Sequence, residues 1–343
     1  MKTLLLAATA LAFGAVVGAA TAVNAADVPP PWAYGYLTPP PPDAKPAAQL
    51  PAPAPQNLDN TTMLSVPGSK HQFTRAQVAN RYGPADWFPE DHGPMPDIVA
   101  HGKESQQVFA CSLCHLTNGR GRPENAAVTG LSYEYFVQQL TDFRNGARKT
   151  SDPRKDNTAR MAYFAKNLTD EEIKQAAQFF TAIPATPWIK VVESETAPKV
   201  RSQAGLFLTL EGDQAGTEPI GNRIVEVPEN TRDAEFLRNS HSGFIAYVPK
   251  GSLNTGRSLV AQGTTAGGGT VTPCTVCHGP MLRGLGPVPR LAGRSPSYIA
   301  RQLYDMKLGN REGAWTPLMK SVVTGLSDQD ILNASAYLAS LEP

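Results

Sequence analysis

The feature that most restricts this 343-residue chain is a pentapeptide pattern that occurs twice, as Cys111-Ser112-Leu113-Cys114-His115 and as Cys274-Thr275-Val276-Cys277-His278. The two copies use all four cysteines of the chain. Two thiols three positions apart reach the two vinyl groups of one porphyrin and hold it through thioethers, and the imidazole that follows lies beneath the iron. The spacing therefore predicts two covalently bound haem c groups. Cys111, Cys114, Cys274 and Cys277 are the expected attachment points, and His115 and His278 the proximal iron ligands. Local disulfides or zinc sites would draw on the same cysteines. Neither explains why His follows both pairs, and a closed zinc site usually takes four ligands.

The pentapeptides sit inside a longer internal repeat. Shifted by 163 positions, 111–148 aligns without gaps to 274–311, pairing Gly130 with Gly293, Tyr135 with Tyr298, Gln139 with Gln302, Asp142 with Asp305, Gly146 with Gly309 and Arg148 with Arg311. Downstream the shift becomes 158, and Met161 meets Met319, Leu168 meets Leu326 and Ile173 meets Ile331. Agreement of this extent within one chain implies a duplicated domain.

The repeat also bears on the second axial ligand. Methionine opposite histidine gives a low-spin haem of raised potential, suited to electron transfer. Met161 is the one methionine between His115 and Met281. For the second haem, Met281 is too near His278 to reach the opposite face, and Met306 aligns with Phe143 inside a helix, a packing position. Met319 aligns with Met161. Met161 and Met319 are thus the expected distal ligands. His71, His92, His101 and His241 read as surface or hydrogen-bonded groups. Arg148 and Arg311 have two readings: partners of haem propionates, or solvated helix ends.

Each copy reads as mostly helical. A helix is expected over 133–145 and over 296–308, each closed by glycine. A last helix starts after Thr169 or Ser327, residues suited to an N-cap. Its apolar stripe is Ile173, Ala176, Ala177, Phe180 and Ile183 in the first copy, and Ile331, Ala334, Leu338 and Leu341 in the second. Between the copies, 185–253 has strand-like runs at 205–210 and 243–248 with Gly and Pro punctuation. The fold class expected is mainly α, with two helical haem domains at 61–184 and 254–343 and a β-containing insert between them.

The N-terminus begins with a short basic start, Met1-Lys2, an apolar run from Leu4 to Val23 and the small-residue ending Val23-Asn24-Ala25, the pattern of a signal peptide over 1–25. A retained membrane anchor is the competing reading. Residues 26–60 are rich in Pro and Ala and read as a tether that builds no core. Export would place the protein in a periplasm. A formal net charge of +1 gives no electrostatic case for a nucleic-acid or membrane-surface partner.

On these residues the sequence resembles class I c-type cytochromes in their tandem, dihaem form. The carrying features are the two Cys-x-x-Cys-His motifs, the Gln-Leu-x-Asp segments at 139–142 and 302–305, and Met161 and Met319 ahead of a closing helix. The resemblance covers about 190 residues. It implies that the Pro289 carbonyl orients His278 through Nδ1, a contact for which the first copy has Ala126. It also implies transfer of electrons between a redox-protein donor and acceptor, such as a periplasmic dehydrogenase or terminal oxidase, with membrane contact only through partners. The rival function is a dihaem enzyme with one open iron. All four cysteines are already committed to attachment, which disfavours a cysteine-ligated iron.

Overall fold

A computed structural model describes residues 28–45 and 57–343; the expected signal segment at 1–25 lies outside them. The two copies fold alike because the same local signals recur in register. Ser132 caps the helix Tyr133–Arg144, and Ser295 caps Pro296–Lys307, each accepting from the backbone amide three residues on. Both helices end at glycines with φ near +70°, Gly146 at +74° and Gly309 at +72°, a conformation that costs a residue with a Cβ about 1 kcal/mol. Thr169 and Ser327 open the closing helices Asp170–Ala182 and Asp328–Ala339 with reciprocal capping boxes. The expected stripes face inward, with Ile173, Ala177, Phe180, Ile331 and Leu338 all buried.

The copies differ at their leading helix. In the second it is Ser252–Gln262, three turns long, and it crosses the closing helix. Gly256 makes the close approach feasible, since a Cβ there would stand 2.1 Å from the Asn333 carbonyl oxygen. In the first copy the corresponding segment is the single turn Asp97–Ala100.

The insert carries a three-stranded sheet. Ile189–Ser194 pairs parallel with Phe244–Pro249, which pairs antiparallel with Val225–Pro228. Two short antiparallel pairs accompany it, Thr196–Pro198 with Thr217–Pro219 and Val200–Gln203 with Leu206–Thr209. Part of its apolar surface makes a small cluster of its own, Trp188, Leu206, Leu208, Ala234 and Phe244 with Ala127 of the first copy. Val225, Val227, Ala246 and Val248 join Leu259, Ile299, Ile331 and Leu338 in one cluster, so insert and second copy share a core. The first copy keeps a separate core built on Phe109, Leu140, Phe164 and Phe180.

The Pro/Ala-rich segment departs from the tether expected of 26–60. Pro31–Tyr34 forms a 3-10 turn in which Trp32, Ala33 and Tyr34 are buried in the core shared by insert and second copy. The Tyr34 hydroxyl donates to Asp305 at 2.8 Å, and the Ala33 carbonyl accepts from Arg301 at 3.0 Å. Tyr36 donates to the Arg154 carbonyl at 2.7 Å, and Ser202 donates to the Gly35 carbonyl at 2.5 Å. This strap touches both copies and the insert. Proline favours it by lowering the entropy of an extended chain, and the aromatic pair supplies the buried area.

Candidate haem crevices

Each attachment motif forms one short helical turn, Cys111–His115 or Cys274–His278, which turns the imidazole toward a crevice. The His115 Nδ1 lies 2.8 Å from the Ala126 carbonyl oxygen, and the His278 Nδ1 lies 2.8 Å from that of Pro289. A carbonyl can only accept, so each Nδ1 carries the proton and each Nε2 presents its lone pair, as an iron ligand must. Ala126 makes the contact as well as Pro289 because only its backbone is used. Burial lowers the proton affinity of both imidazoles and keeps them neutral. It also raises the Cys111 thiol to about 12 and the Cys274 thiol to about 11. A thioether is uncharged, so a sulfur in such a place is better suited to a covalent haem bond than to a free thiolate.

The first crevice, of about 980 Å³, brings together Cys114, His115 and Met161, with Leu131, Phe136 and Phe164 as apolar wall. The second is wider, about 1750 Å³, and brings together Cys274, Cys277, His278 and Met319. Met306 also lines the second crevice, from the buried face of Pro296–Lys307, whereas Met281 does not. Among the remaining histidines none lines either crevice. His92 binds Asp86 at 3.1 Å, and His241 binds Asp91 at 2.6 Å while stacking on Phe88.

The crevices meet at a wall made by both copies. Arg148 donates to Gln139 of its own copy at 3.0 Å, and to the Tyr298 hydroxyl at 3.1 Å and Gln302 at 2.8 Å in the other. Arg311 repeats this with copies exchanged: to Gln302 at 3.0 Å, the Tyr135 hydroxyl at 2.7 Å and Gln139 at 2.8 Å. The backbone follows the same approximate two-fold. Lys149 N donates to Asn310 O, and Glu312 N to Ala147 O, at 2.6 and 2.7 Å. The reading of these arginines as solvated helix ends is therefore set aside, because both are buried. Their side chains contact the other copy, which the internal repeat alone could not reveal.

Haem fits this surrounding. The lining is apolar where a porphyrin plane would lie, and the wall is cationic where propionates would reach. Among the described residues neither Arg148 nor Arg311 has a carboxylate ion pair, and Arg294, which lines both crevices, has a buried Nη1 that meets no hydrogen-bond partner among them. Burial opposes ionisation of Tyr298, yet Arg148, Arg294 and Arg311 together draw its phenol down to about 7. A site of that potential favours anions.

A Cytochrome c family profile matches residues 102–182. Cytochrome c-554(548) of Halomonas halodenitrificans is 36% identical over 83 residues, 24% of this chain and 100% of that protein. This chain belongs to the c-type cytochrome family. It is a class I, dihaem cytochrome, and its cofactor is covalently bound haem c. A second relative of this cytochrome, named thiosulfate dehydrogenase electron acceptor, from Stutzerimonas stutzeri, is 26% identical over 247 residues, 71% of this chain and 84% of the relative. Cytochrome c4 of Azotobacter vinelandii is 35% identical over 96 residues, 26% of this chain and 46% of its own length. A solved structure of reduced cytochrome c4 from Pseudomonas stutzeri overlays 70% of this chain and 98% of its own, with 21% identity and a TM-score of 0.44. No helix among the described residues is long and apolar enough to cross a membrane.

Proposed function

We propose that this cytochrome relays single electrons through two His/Met-ligated haems, and that it does so in a periplasm, accepting electrons from a dehydrogenase and passing them to a further redox protein. The observation that carries the reading is the shared wall. Two crevices of one design meet there across Arg148, Arg311, Gln139 and Gln302.

Bound haem supplies the one-electron ferrous/ferric couple. Cys111, Cys114, Cys274 and Cys277 would hold it, and His115 with Met161, and His278 with Met319, would complete the iron coordination. The chain's own part is to fix potential and position. The carbonyls of Ala126 and Pro289 orient the imidazoles and raise their basicity. The apolar lining keeps water from the iron, and the arginine wall favours the reduced, more negative state. Support for a dehydrogenase as donor comes from the relative named thiosulfate dehydrogenase electron acceptor. The signal-like N-terminus and haem c chemistry support export.

The test is magnetic circular dichroism and absorption of the purified protein in both oxidation states. Two low-spin haems with the near-infrared charge-transfer band of methionine-ligated ferric iron are expected. Met161→His and Met319→His should each remove about half of that band. A high-spin signal, or ready binding of cyanide, would mean an open iron and a dihaem enzyme instead.

A further inference from the structure

The two proximal histidines make the same contact, yet the loops that supply it are braced by different means. Three backbone bonds recur in both loops. The amides of Gly121, Asn125 and Val128 donate to His115, Arg122 and Gly119, and those of Gly284, Val288 and Leu291 donate to His278, Leu285 and Leu282. The second loop adds a bond from the Leu285 amide back to Val288 O at 3.1 Å, and it carries Pro287 and Pro289. Each proline fixes one φ and narrows the conformations open to the loop. The first loop has Glu124 and Ala126 at those two places, so its own sequence restrains it less.

Three arginines of the second copy supply the missing restraint. Arg294 donates to the Ala127 carbonyl at 2.9 Å, Arg301 to that of Pro123 at 3.1 Å, and Arg290 to that of Thr129 at 3.3 Å. These carbonyls lie on both sides of Ala126, whose own carbonyl accepts from His115 Nδ1 at 2.8 Å. All three arginines are buried, where water competes little for bonds that a full charge already strengthens. The positions aligned with them in the first copy are Ala127, Leu131 and Gln138, none of them cationic. This bracing is therefore not part of the repeat.

We propose that Arg294, with Arg290 and Arg301 beside it, is a positioning residue for the proximal ligand of the first haem. The second copy fixes the loop, the loop fixes the Ala126 carbonyl, and that carbonyl fixes the His115 imidazole. The inference rests on the electron-relay reading above, with His115 as a ligand of the first iron. The bond at Nδ1 sets how the ring is turned and how basic its Nε2 is, so side chains of one copy govern a ligand in the other. Proline rings restrain the second loop from within.

The test uses the full holoprotein in its reduced, diamagnetic state, in which proton NMR follows exchange of each histidine Nδ1 proton with deuterium. Arg294→Lys keeps the charge and loses the planar fork, which separates geometry from any effect of charge on the haem. Exchange at His115 is expected to quicken about tenfold or more, and exchange at His278 to hold. Ala126→Pro in the Arg294→Lys background gives the first loop a restraint of the second and should slow His115 exchange again. The Ala126 amide donates to no backbone carbonyl among the described residues, so proline forfeits no backbone bond there. Unchanged exchange at His115, equal quickening at both histidines, or quickening that Ala126→Pro leaves in place would each overturn the positioning role. Should Arg294→Lys not hold haem, Arg301→Lys carries the same expectations through the bond to Pro123. Wild type tests the reading underneath. Without a ring-current-shifted Nδ1 proton from His115, the ligand assignment falls and this inference with it; with that proton present, the three failures count against the arginines alone.

Discussion

Arg148 and Arg311 hydrogen-bond to the same two glutamines, Gln139 and Gln302, one from each copy. Two guanidiniums are thereby held buried and close with no carboxylate partner among the described residues, an arrangement that costs stability unless anions share the space. Haem propionates would supply such anions.

Removing either charge should lower a reduction potential, and on one haem more than on the other. Arg148 lines only the first crevice and Arg311 only the second. Loss of one cation at this depth is worth about 1–2 kcal/mol, or about 40–90 mV for one electron. Arg148→Gln should lower the first haem's potential by that amount and Arg311→Gln the second's. Spectroelectrochemical titration resolves the two. Equal shifts of both haems in either variant would count against the assignment.

Glu226 gives a pH dependence of known sign. It is buried on the strand Val225–Pro228 and accepts from Ser295 and from the hydroxyl and amide of Ser297. Burial outweighs those bonds and the Arg301 charge and raises the carboxyl from 4.5 to about 7. The native state therefore keeps this proton after the unfolded chain has lost it. Its stabilisation is complete below the unfolded value of 4.5, declines as pH rises to about 7 and is then gone. Glu226→Gln should flatten that slope, with a relative gain of at most about 3 kcal/mol above neutrality. Urea unfolding of both proteins across the range measures it, and parallel curves would refute the claim.

The strap can be tested at one atom. Tyr34→Phe deletes the hydroxyl that donates to buried Asp305 and should cost about 1–3 kcal/mol. Tyr36→Phe removes a bond to the Arg154 carbonyl at a half-buried site and should cost less. Urea midpoints give the order, and the reverse order would show that the strap is not anchored at Tyr34.

Gly256→Val should be far more harmful than a helix-propensity scale allows. The added carbons meet the Asn333 carbonyl and the Tyr337 Cβ, so the crossing of Ser252–Gln262 over Asp328–Ala339 must open, at about 2–3 kcal/mol or more. Calorimetry on the holoprotein reads the loss; a change under about 0.5 kcal/mol would mean the crossing is loose.

Much of the candidate site was legible because a duplication lets one copy annotate the other. The shift of 163 positions set Arg148 against Arg311 and the Ser132 cap against Ser295, and the caps recur as such. What the repeat could not carry was anything that crosses between copies. Equivalence says that two arginines sit alike in their own domains and is silent on their facing each other. Composition misled at residues 31–34. Proline and alanine around them predicted a tether, whereas Trp32 and Tyr34 supply enough apolar area to dock. The aromatic pair inside a proline-rich run was the available signal. Two of the insert's strands were visible as the runs at 205–210 and 243–248, but what covers them was not, since a strand-like run says that a segment is apolar and not what packs on it.

The strap also sets an order of events for the chain. Tyr34 is synthesised early, yet its hydroxyl partner Asp305 lies 271 residues downstream. A chain made from its N-terminus must leave residues 31–34 undocked until the helix Pro296–Lys307 exists to receive them. The first described segment of the chain is thus held by a contact that only a nearly complete chain can supply.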